Sequence, residues 1–266
     1  MKSWIWSHDR FLPCDSVPLA DRGFRYGMSV FESLPVRNSV PIFLREHLAR
    51  LTAASARCGF RINGAALAAC EDLLVGSGNG FARVYITAGD GSVTGDCEHP
   101  RVFVFVEPRE PTPARVYHRG YDLGIAPEPH QPLFGGLKTA NYWANLEAFR
   151  AGVLRKKNET LLFNPRSELI SACMANVFLI RDGCLQTPAL ASGARHGVLR
   201  EWVLARRAVE ERALTRADLA AAEEIFLTSS WLGIMPVSSL EDHPLATRST
   251  AAALREEYHQ SLSLLR

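Results

Sequence analysis

The chemistry open to this chain is narrowed first by its amines. Among 30 lysine and arginine residues only four are lysines: Lys2, Lys138, Lys156 and Lys157. An amine nucleophile works when desolvation depresses its pKa, which lets it form and re-form a carbon–nitrogen double bond with an aldehyde. Lys138 lies in GGLKTANYW, behind two glycines and ahead of a helix start, among small and apolar residues. From this segment alone a solvated loop lysine reads the same way. Lys2 is terminal, however, and Lys156-Lys157 reads as an exposed basic pair at a helix end. Lys138 is the candidate amine.

A second set of residues suits an anion. Arg50 in EHLARL offers a planar fork of donors, although taken alone it reads as a surface helix arginine. Gly197-Val198-Leu199 opens a helix whose first backbone N–H groups have no intrahelical acceptor. Ser229 and Ser230, just after EEIFLT, add hydroxyl donors, or are plain turn residues. GSGNG at Gly76 to Gly80 leads into a strand without the Gly-Lys-Ser/Thr of a phosphate loop, so it reads as a flexible turn. Cys14, Cys58, Cys70, Cys97, Cys173 and Cys184 are scattered, with no CxxC and no histidine at ligand spacing, so neither a metal site nor a disulfide framework is expected.

These residues need elements to hold them. WIWSHD, a turn around Asp21-Arg22-Gly23, and SVFESLPVRN read as strand, turn and strand; from Phe43 a helix follows, with Leu44, Leu48, Leu51 and Ala54 at helical intervals and Gly59 as its stop. ARVYITAG and RVFVFVEP are β-rich runs joined by a long hairpin connection. EPREPTPARV, with three prolines, suits an interdomain linker and places the boundary near Pro111, giving domains of residues 1 to 110 and 111 to 266. Beyond it come a helix just after Lys138, strands at ETLLFN, LISACMANVFLIRDG and CLQTPAL, a helix at HGVLREWVLARRA and a strand at EEIFLTSS, around a largely antiparallel core.

With 266 residues, 47% hydrophobic and 22% charged, the chain has ample sequence for a packed core. A net charge of +2 is too small to draw nucleic acid or an anionic membrane by field alone. The N-terminus has two tryptophans and a charged pair where a signal peptide needs an unbroken apolar run, and no later run spans a membrane. A soluble, cytoplasmic protein with a small-molecule ligand is expected.

Taken together, the motifs resemble one family. Asn176-Val177-Phe178, Asp182-Gly183, Thr187-Pro188 and Gly197-Val198-Leu199-Arg200 are similar to the C-terminal signature of fold-type IV pyridoxal-phosphate enzymes, the class-IV aminotransferase family. DRGFRYGMSVFESLPV, LREHLARL and IFLTSSWLGIMPV are similar to its first strands, its arginine-bearing helix and the segment closing its phosphate cup. The resemblance covers nearly the whole chain. It implies an α+β, two-domain fold of the D-amino-acid aminotransferase type, with pyridoxal 5'-phosphate in the interdomain cleft. Lys138 would carry the cofactor as a Schiff base; Arg50, Val198, Leu199, Ser229 and Ser230 would hold its phosphate, with Ser171 and Asn176 also cofactor-binding. Tyr26, Phe31 and Arg83 are the candidate substrate residues. A homodimer is implied as well.

Two positions depart from the family. Relatives carry a glutamate five residues before the signature asparagine, which pairs with the pyridine nitrogen; here that position is Ser171. Glu168, three residues off, would lie about 10 Å away on an extended strand and face the other side. A serine cannot stabilise a charged ring nitrogen, so weaker electron withdrawal by the cofactor is expected. Ala88 stands where relatives that act on D-amino acids or aminodeoxychorismate carry an arginine, while Arg83 matches a basic position of lyase-like members. SSWLGIMPV, Cys173, Ala175-Asn176 and the chain length are lyase-like, and aromatisation of the product would tolerate a weak electron sink. The reading favoured is an aminodeoxychorismate lyase of folate biosynthesis, releasing pyruvate and 4-aminobenzoate. A transaminase for branched-chain or D-amino acids is the alternative, drawn from Tyr26 and Phe31; a binding relative with impaired catalysis is the second.

Overall fold

The structure, a computed structural model, describes residues 1–75 and 77–263. Gly76, the first residue of the GSGNG turn, lies outside the described residues. The chain divides into two compact units. One comprises Met1–Pro111 with Lys138–Asn141; the other comprises Thr112–Leu137 and residues 142 to 263.

The first unit is built on strands β1 (Lys2–Ser7), β2 (Arg10–Pro13), β3 (Ser29–Arg37), β4 (Val40–Pro41), β5 (Gly80–Thr87) and β6 (Arg101–Glu107). They form one antiparallel sheet in the order β2-β1-β6-β5-β3-β4. Alternation divides its residues: Ala82, Val84 and Ile86 of β5 are buried, whereas Phe81, Arg83 and Tyr85 are half-buried on the other face. Three helices complete the unit: α1 (Arg22–Tyr26), α2 (Leu44–Arg57) and α3 (Gly64–Leu74). α1 occupies what reads as a turn in the sequence, because Asp21 caps it by accepting from Gly23 N. The buried stripe of α2 is Leu44, His47, Leu51, Ala54 and Ser55, so a histidine takes the place expected for Leu48. The helix ends at Arg57, and Gly59 turns with φ +73°.

The second unit opens with α4 (Ala114–Arg119), which starts directly after Pro113 where an extended linker is expected. Its further helices are α5 (Trp143–Leu154), α6 (Val198–Leu204), α7 (Arg216–Ala220) and α8 (Ser249–Ser263). Its strands are β7 (Tyr121–Ile125), β8 (Glu159–Phe163), β9 (Leu169–Ala172), β10 (Asn176–Arg181), β11 (Cys184–Pro188), β12 (Glu210–Arg212), β13 (Glu224–Ser229), β14 (Gly233–Leu240) and β15 (His243–Pro244). The sheet runs β12-β11-β10-β13-β14-β7-β8-β9, with β15 on β14. Most pairings are antiparallel; β11–β12, β14–β7 and β7–β8 are parallel. LISACMANVFLIRDG, read as one strand, is two: Cys173 to Ala175 form a turn between β9 and β10, closed by Ala172 N on Ala175 O.

Leu123, Leu161, Val177, Leu227, Met235 and Val237 pack one face of this sheet. Phe178 and Phe226 stack at 5.0 Å on the other, where α6 and α8 lie beside β13. Leu162, Ile170 and Cys173 pack with Ala148 and Phe149 of α5.

Candidate active site

Lys138 belongs to the first unit, although the sequence boundary near Pro111 assigns it to the second domain. β4 covers only the Val36–Arg37 end of β3, which leaves the Ser29–Phe31 end of that edge open for Lys138 to Ala140. Phe31 N donates to Lys138 O at 2.9 Å, Ala140 N donates to Ser29 O at 3.0 Å, and Val30 and Thr139 form an antiparallel bridge. This pairing fixes the lysine's backbone as a short additional strand. Lys138 Nζ then lies 4.0 Å from the centre of the Phe31 ring, and Tyr85 stacks on that ring at 4.8 Å. The amine therefore sits against an aromatic wall.

Of the other lysines, Lys157 needs correction. It is not half of an exposed pair: it is buried, and its Nζ donates to Asp122 at 3.1 and 3.2 Å and to Asp242 at 2.5 Å. Burial would lower its pKa, but the two carboxylates outweigh burial and raise it. A lysine held this way is a structural cation.

Arg50 is engaged from beneath. Its Nε and Nη2 donate to Glu32 Oε1 and Oε2, both at 2.6 Å, and His47 Nδ1 meets Oε2 at 2.7 Å. Burial raises the Glu32 pKa, but Arg50 and the His47 bond overcome it and hold the carboxyl at about 2. Burial also pushes His47 below its usual value, so the neutral ring donates its Nδ1–H to the carboxylate. Glu32 thus orients the Arg50 fork through one edge, as a bidentate carboxylate does.

The candidate substrate residues separate. Phe31 touches Lys138, and Arg83 shares the half-buried sheet face with Tyr85. Arg83 is ion-paired to Glu107 at 2.9 Å, so a substrate carboxylate would compete for it. Tyr26, at the end of α1, is 43% exposed with Arg25 over its ring. Ala88 is fully buried, and the loop after it is gathered by Arg22, whose guanidinium donates to the carbonyls of Ala88, Gly89, Ser92, Gly95 and Asp96. Arg22 therefore acts as a structural tie for a loop that carries no arginine of its own.

In the second unit the expected cofactor residues converge. Asn176 lies opposite Thr228 in the β10–β13 ladder; its Nδ2 donates to Arg195 O at 2.7 Å, and its Oδ1 packs so close to Gly197 that a Cβ there would meet it at 2.0 Å. Asn176 accordingly positions the entry of α6 at the end of β13. Val198 and Leu199 occupy the first turn of α6, where N–H groups have no intrahelical acceptor. Ser229 and Ser230 follow Thr228; the Ser229 hydroxyl accepts from Leu232 N at 3.1 Å, and the Thr228 hydroxyl is buried with no partner among the described residues. The first-turn N–H groups of α6 and the buried Thr228 hydroxyl are donors that suit a phosphate.

Ser171 is half-buried on β9 opposite Leu162, and its hydroxyl has no hydrogen bond among the described residues. Glu168 does not substitute for it, being drawn to Arg166 at 2.7 Å and to Asn164 at 2.8 Å, with its pKa lowered to about 2 chiefly by Arg166. A different carboxyl lies nearby. Glu159, at the start of β8, accepts from Thr160 N and Met174 N, and burial lifts its pKa to about 7. Burial and Glu159 together raise the Cys173 thiol. The first unit holds an amine at Lys138 and a guanidinium at Arg50, and the second holds first-turn N–H donors at Val198 and Leu199 and a half-buried hydroxyl at Ser171; these residue types fit pyridoxal phosphate.

Sequence reasoning passed over Glu32, His47, Tyr85, Glu159, Tyr142 and Arg195. Glu32, alone among the apolar residues of the buried face of β3, was the one legible signal: a carboxylate there requires a cation.

Comparison with known proteins agrees with this geometry. The chain is 27% identical over 247 residues to an aminodeoxychorismate lyase of Bacillus subtilis, covering 87% of this chain and 84% of that protein. It is 28% identical over 247 residues to a D-alanine aminotransferase of Listeria innocua, covering 85% and 83%. The crystal structure of 4-amino-4-deoxychorismate lyase from Pseudomonas aeruginosa superimposes with a TM-score of 0.89 at 28% identity, over 98% of this chain and 99% of that one. The profile of the amino-transferase class IV family matches residues 29–240, and the chain belongs to that family.

Proposed function

We propose that this protein is a pyridoxal-phosphate-dependent aminodeoxychorismate lyase, which releases pyruvate and 4-aminobenzoate. The observation that carries the reading is the likeness to the Pseudomonas aeruginosa lyase over essentially the full length of both chains. Lys138 against Phe31, and the neutral Ser171, are compatible with it.

When bound, pyridoxal phosphate supplies an aldehyde that condenses with the substrate amine and a ring that withdraws electrons from the neighbouring carbon. Lys138 Nζ would hold the cofactor's aldehyde carbon between turnovers and, when free, would take the proton from the substrate ring carbon bearing the amine and return one to the departing enolpyruvate. Arg50, oriented by Glu32, would hold the phosphate together with the first-turn N–H groups of Val198 and Leu199 and the hydroxyls of Ser229 and Ser230. Asn176 would contribute by positioning the α6 entry and Ser171 by offering a hydroxyl to the ring nitrogen, and Tyr26 and Phe31 are the candidate substrate contacts, with Arg83 joining them only by exchanging Glu107 for a substrate carboxylate. Aromatisation of the product would drive the elimination, so a carboxylate partner for the ring nitrogen would be dispensable.

We further propose a cytoplasmic homodimer serving folate synthesis. The six cysteines are free, and no helix among the described residues is long and apolar enough to cross a membrane.

The test is incubation of the PLP-loaded protein with aminodeoxychorismate, following pyruvate and 4-aminobenzoate together. Equimolar release is expected. Lys138→Ala is expected to lose both products and the near-visible cofactor band; an active K138A protein refutes the assignment. The D-alanine aminotransferase likeness favours a second reading, transamination, which predicts conversion of the cofactor to its pyridoxamine form by a D- or branched-chain amino acid. Absence of any band would leave the impaired binding relative.

A further inference from the structure

Arg195, two residues before the Gly197 that opens α6, is half-buried, and no carboxylate among the described residues answers its charge. Its Nη1 donates to the Tyr142 hydroxyl at 2.7 Å, and its guanidinium carbon lies 5.5 Å from the centre of that ring. Its Nε is buried and has no acceptor among the described residues. Asn176 fixes its backbone by donating to its carbonyl. The other titratable group that feels it is His130, which burial and the Arg195 charge together hold below its usual pKa, and therefore neutral near pH 7.

An arginine withdrawn from water without a counter-ion is costly, and a free Nε beside Nη2 is the edge with which a guanidinium grips a carboxylate in two parallel hydrogen bonds. Tyr142 holds the opposite edge and orients the fork, which reduces the rotamer entropy lost on capture. Buried Ala88, with Arg83 committed to Glu107, leaves the first unit without an uncommitted cation at either sequence-expected carboxylate position.

We propose that Arg195, positioned by Tyr142, binds the carboxylate of the substrate. The proposal rests on the lyase reading and deepens it: the substrate and 4-aminobenzoate both carry a carboxylate across the ring from the amine. The same oxyanion chemistry would also suit the cofactor phosphate, so the experiment separates the two.

Binding of 4-aminobenzoate and of its methyl ester to the wild type, R195Q, R195K and Y142F is measured by calorimetry, with and without PLP; PLP affinity is measured separately from the cofactor band. Wild type is expected to prefer the acid over the ester. R195Q is expected to lose about 10- to 100-fold in acid affinity, as loss of charge-assisted hydrogen bonds does, with ester and PLP affinity unchanged. R195K, which keeps the charge but not the fork, is expected to fall between, and Y142F, which retains the ring, to show a smaller loss in the same direction. Acid affinity equal to wild type in R195Q, with a normal cofactor band, overturns the proposal while leaving the lyase reading intact. If R195Q weakens PLP instead, Arg195 serves the phosphate and the substrate assignment is overturned. Should R195Q not fold, an unchanged acid-to-ester preference in Y142F and R195K decides against it. A wild type with no cofactor band counts against the lyase reading itself.

Discussion

A hydroxyl at position 171 can accept or donate one hydrogen bond, but it cannot neutralise a proton on a ring nitrogen as a carboxylate does. The difference between a neutral and a charge-assisted hydrogen bond is about 1.4 kcal/mol, or roughly tenfold in a rate that depends on it. Reactions that must store electrons in the cofactor ring feel this most, and an elimination driven by aromatisation feels it least. Ser171→Glu is therefore expected to raise the rate of the amino-acid half-reaction about tenfold while changing 4-aminobenzoate release little. Single-turnover spectroscopy with a D-amino acid measures the first and product release the second; an unchanged half-reaction would show that the ring nitrogen does not depend on this position. Ser171 is half-buried opposite Leu162 and not sealed in the core.

At the scale of elements, Glu159 ties the start of β8 to the turn between β9 and β10 by accepting from Met174 N at 3.0 Å. Its pKa is raised from 4.5 to about 7 by burial. The unfolded chain therefore ionises before the folded one: the group's stabilising contribution is complete below the unfolded value, declines as pH rises through about 7, and is then lower by about 3 kcal/mol. Glu159→Gln cannot ionise, so urea melts at about pH 5 and pH 8 are expected to show the gap between wild type and variant narrowing at the higher pH. A constant gap would mean that Glu159 titrates normally in the folded chain. Elements with a strong local signal were legible in the sequence: β3, β5 and β6 as β-rich runs and α2 by its apolar stripe. Elements defined by contacts were not. α1 depends on the Asp21 cap, the β9–β10 turn on a local hydrogen bond inside an apolar run, and Lys138's partnership with β3 on an open strand edge that no local pattern reveals. The site divided in the same way. Lys138, Arg50 and Asn176 stand in motifs, whereas Arg195 and Tyr142, 53 residues apart, meet only through folding.

For the whole molecule, the unexplained surface is apolar. Along α5, Trp143 (77% exposed), Leu146 (45%), Val153 (50%) and Leu154 (87%) fall within an arc of about 100°, while Asn145 and Gly152 face inward. The chain thus presents a second apolar stripe on a helix whose buried face is already satisfied. Val17, Leu19, Phe24 and Tyr26 add exposed apolar groups in the first unit. Isolated exposed apolar residues are ordinary; here Arg150, ion-paired to Glu147, lies within the same arc, and a large aromatic with apolar neighbours and an arginine is the composition of an interface anchor. A second copy of the chain is the expected cover, giving a particle of twice 29.4 kDa by light scattering after size exclusion. Acidic substitution of Trp143 and Leu154 together places charge where apolar area would be buried. The product is expected to be monomeric, with an unchanged far-ultraviolet spectrum because both side chains project away from the core of their unit. A double variant that remains dimeric would move the interface off α5, whereas a wild type that is monomeric would leave the stripe without a like partner.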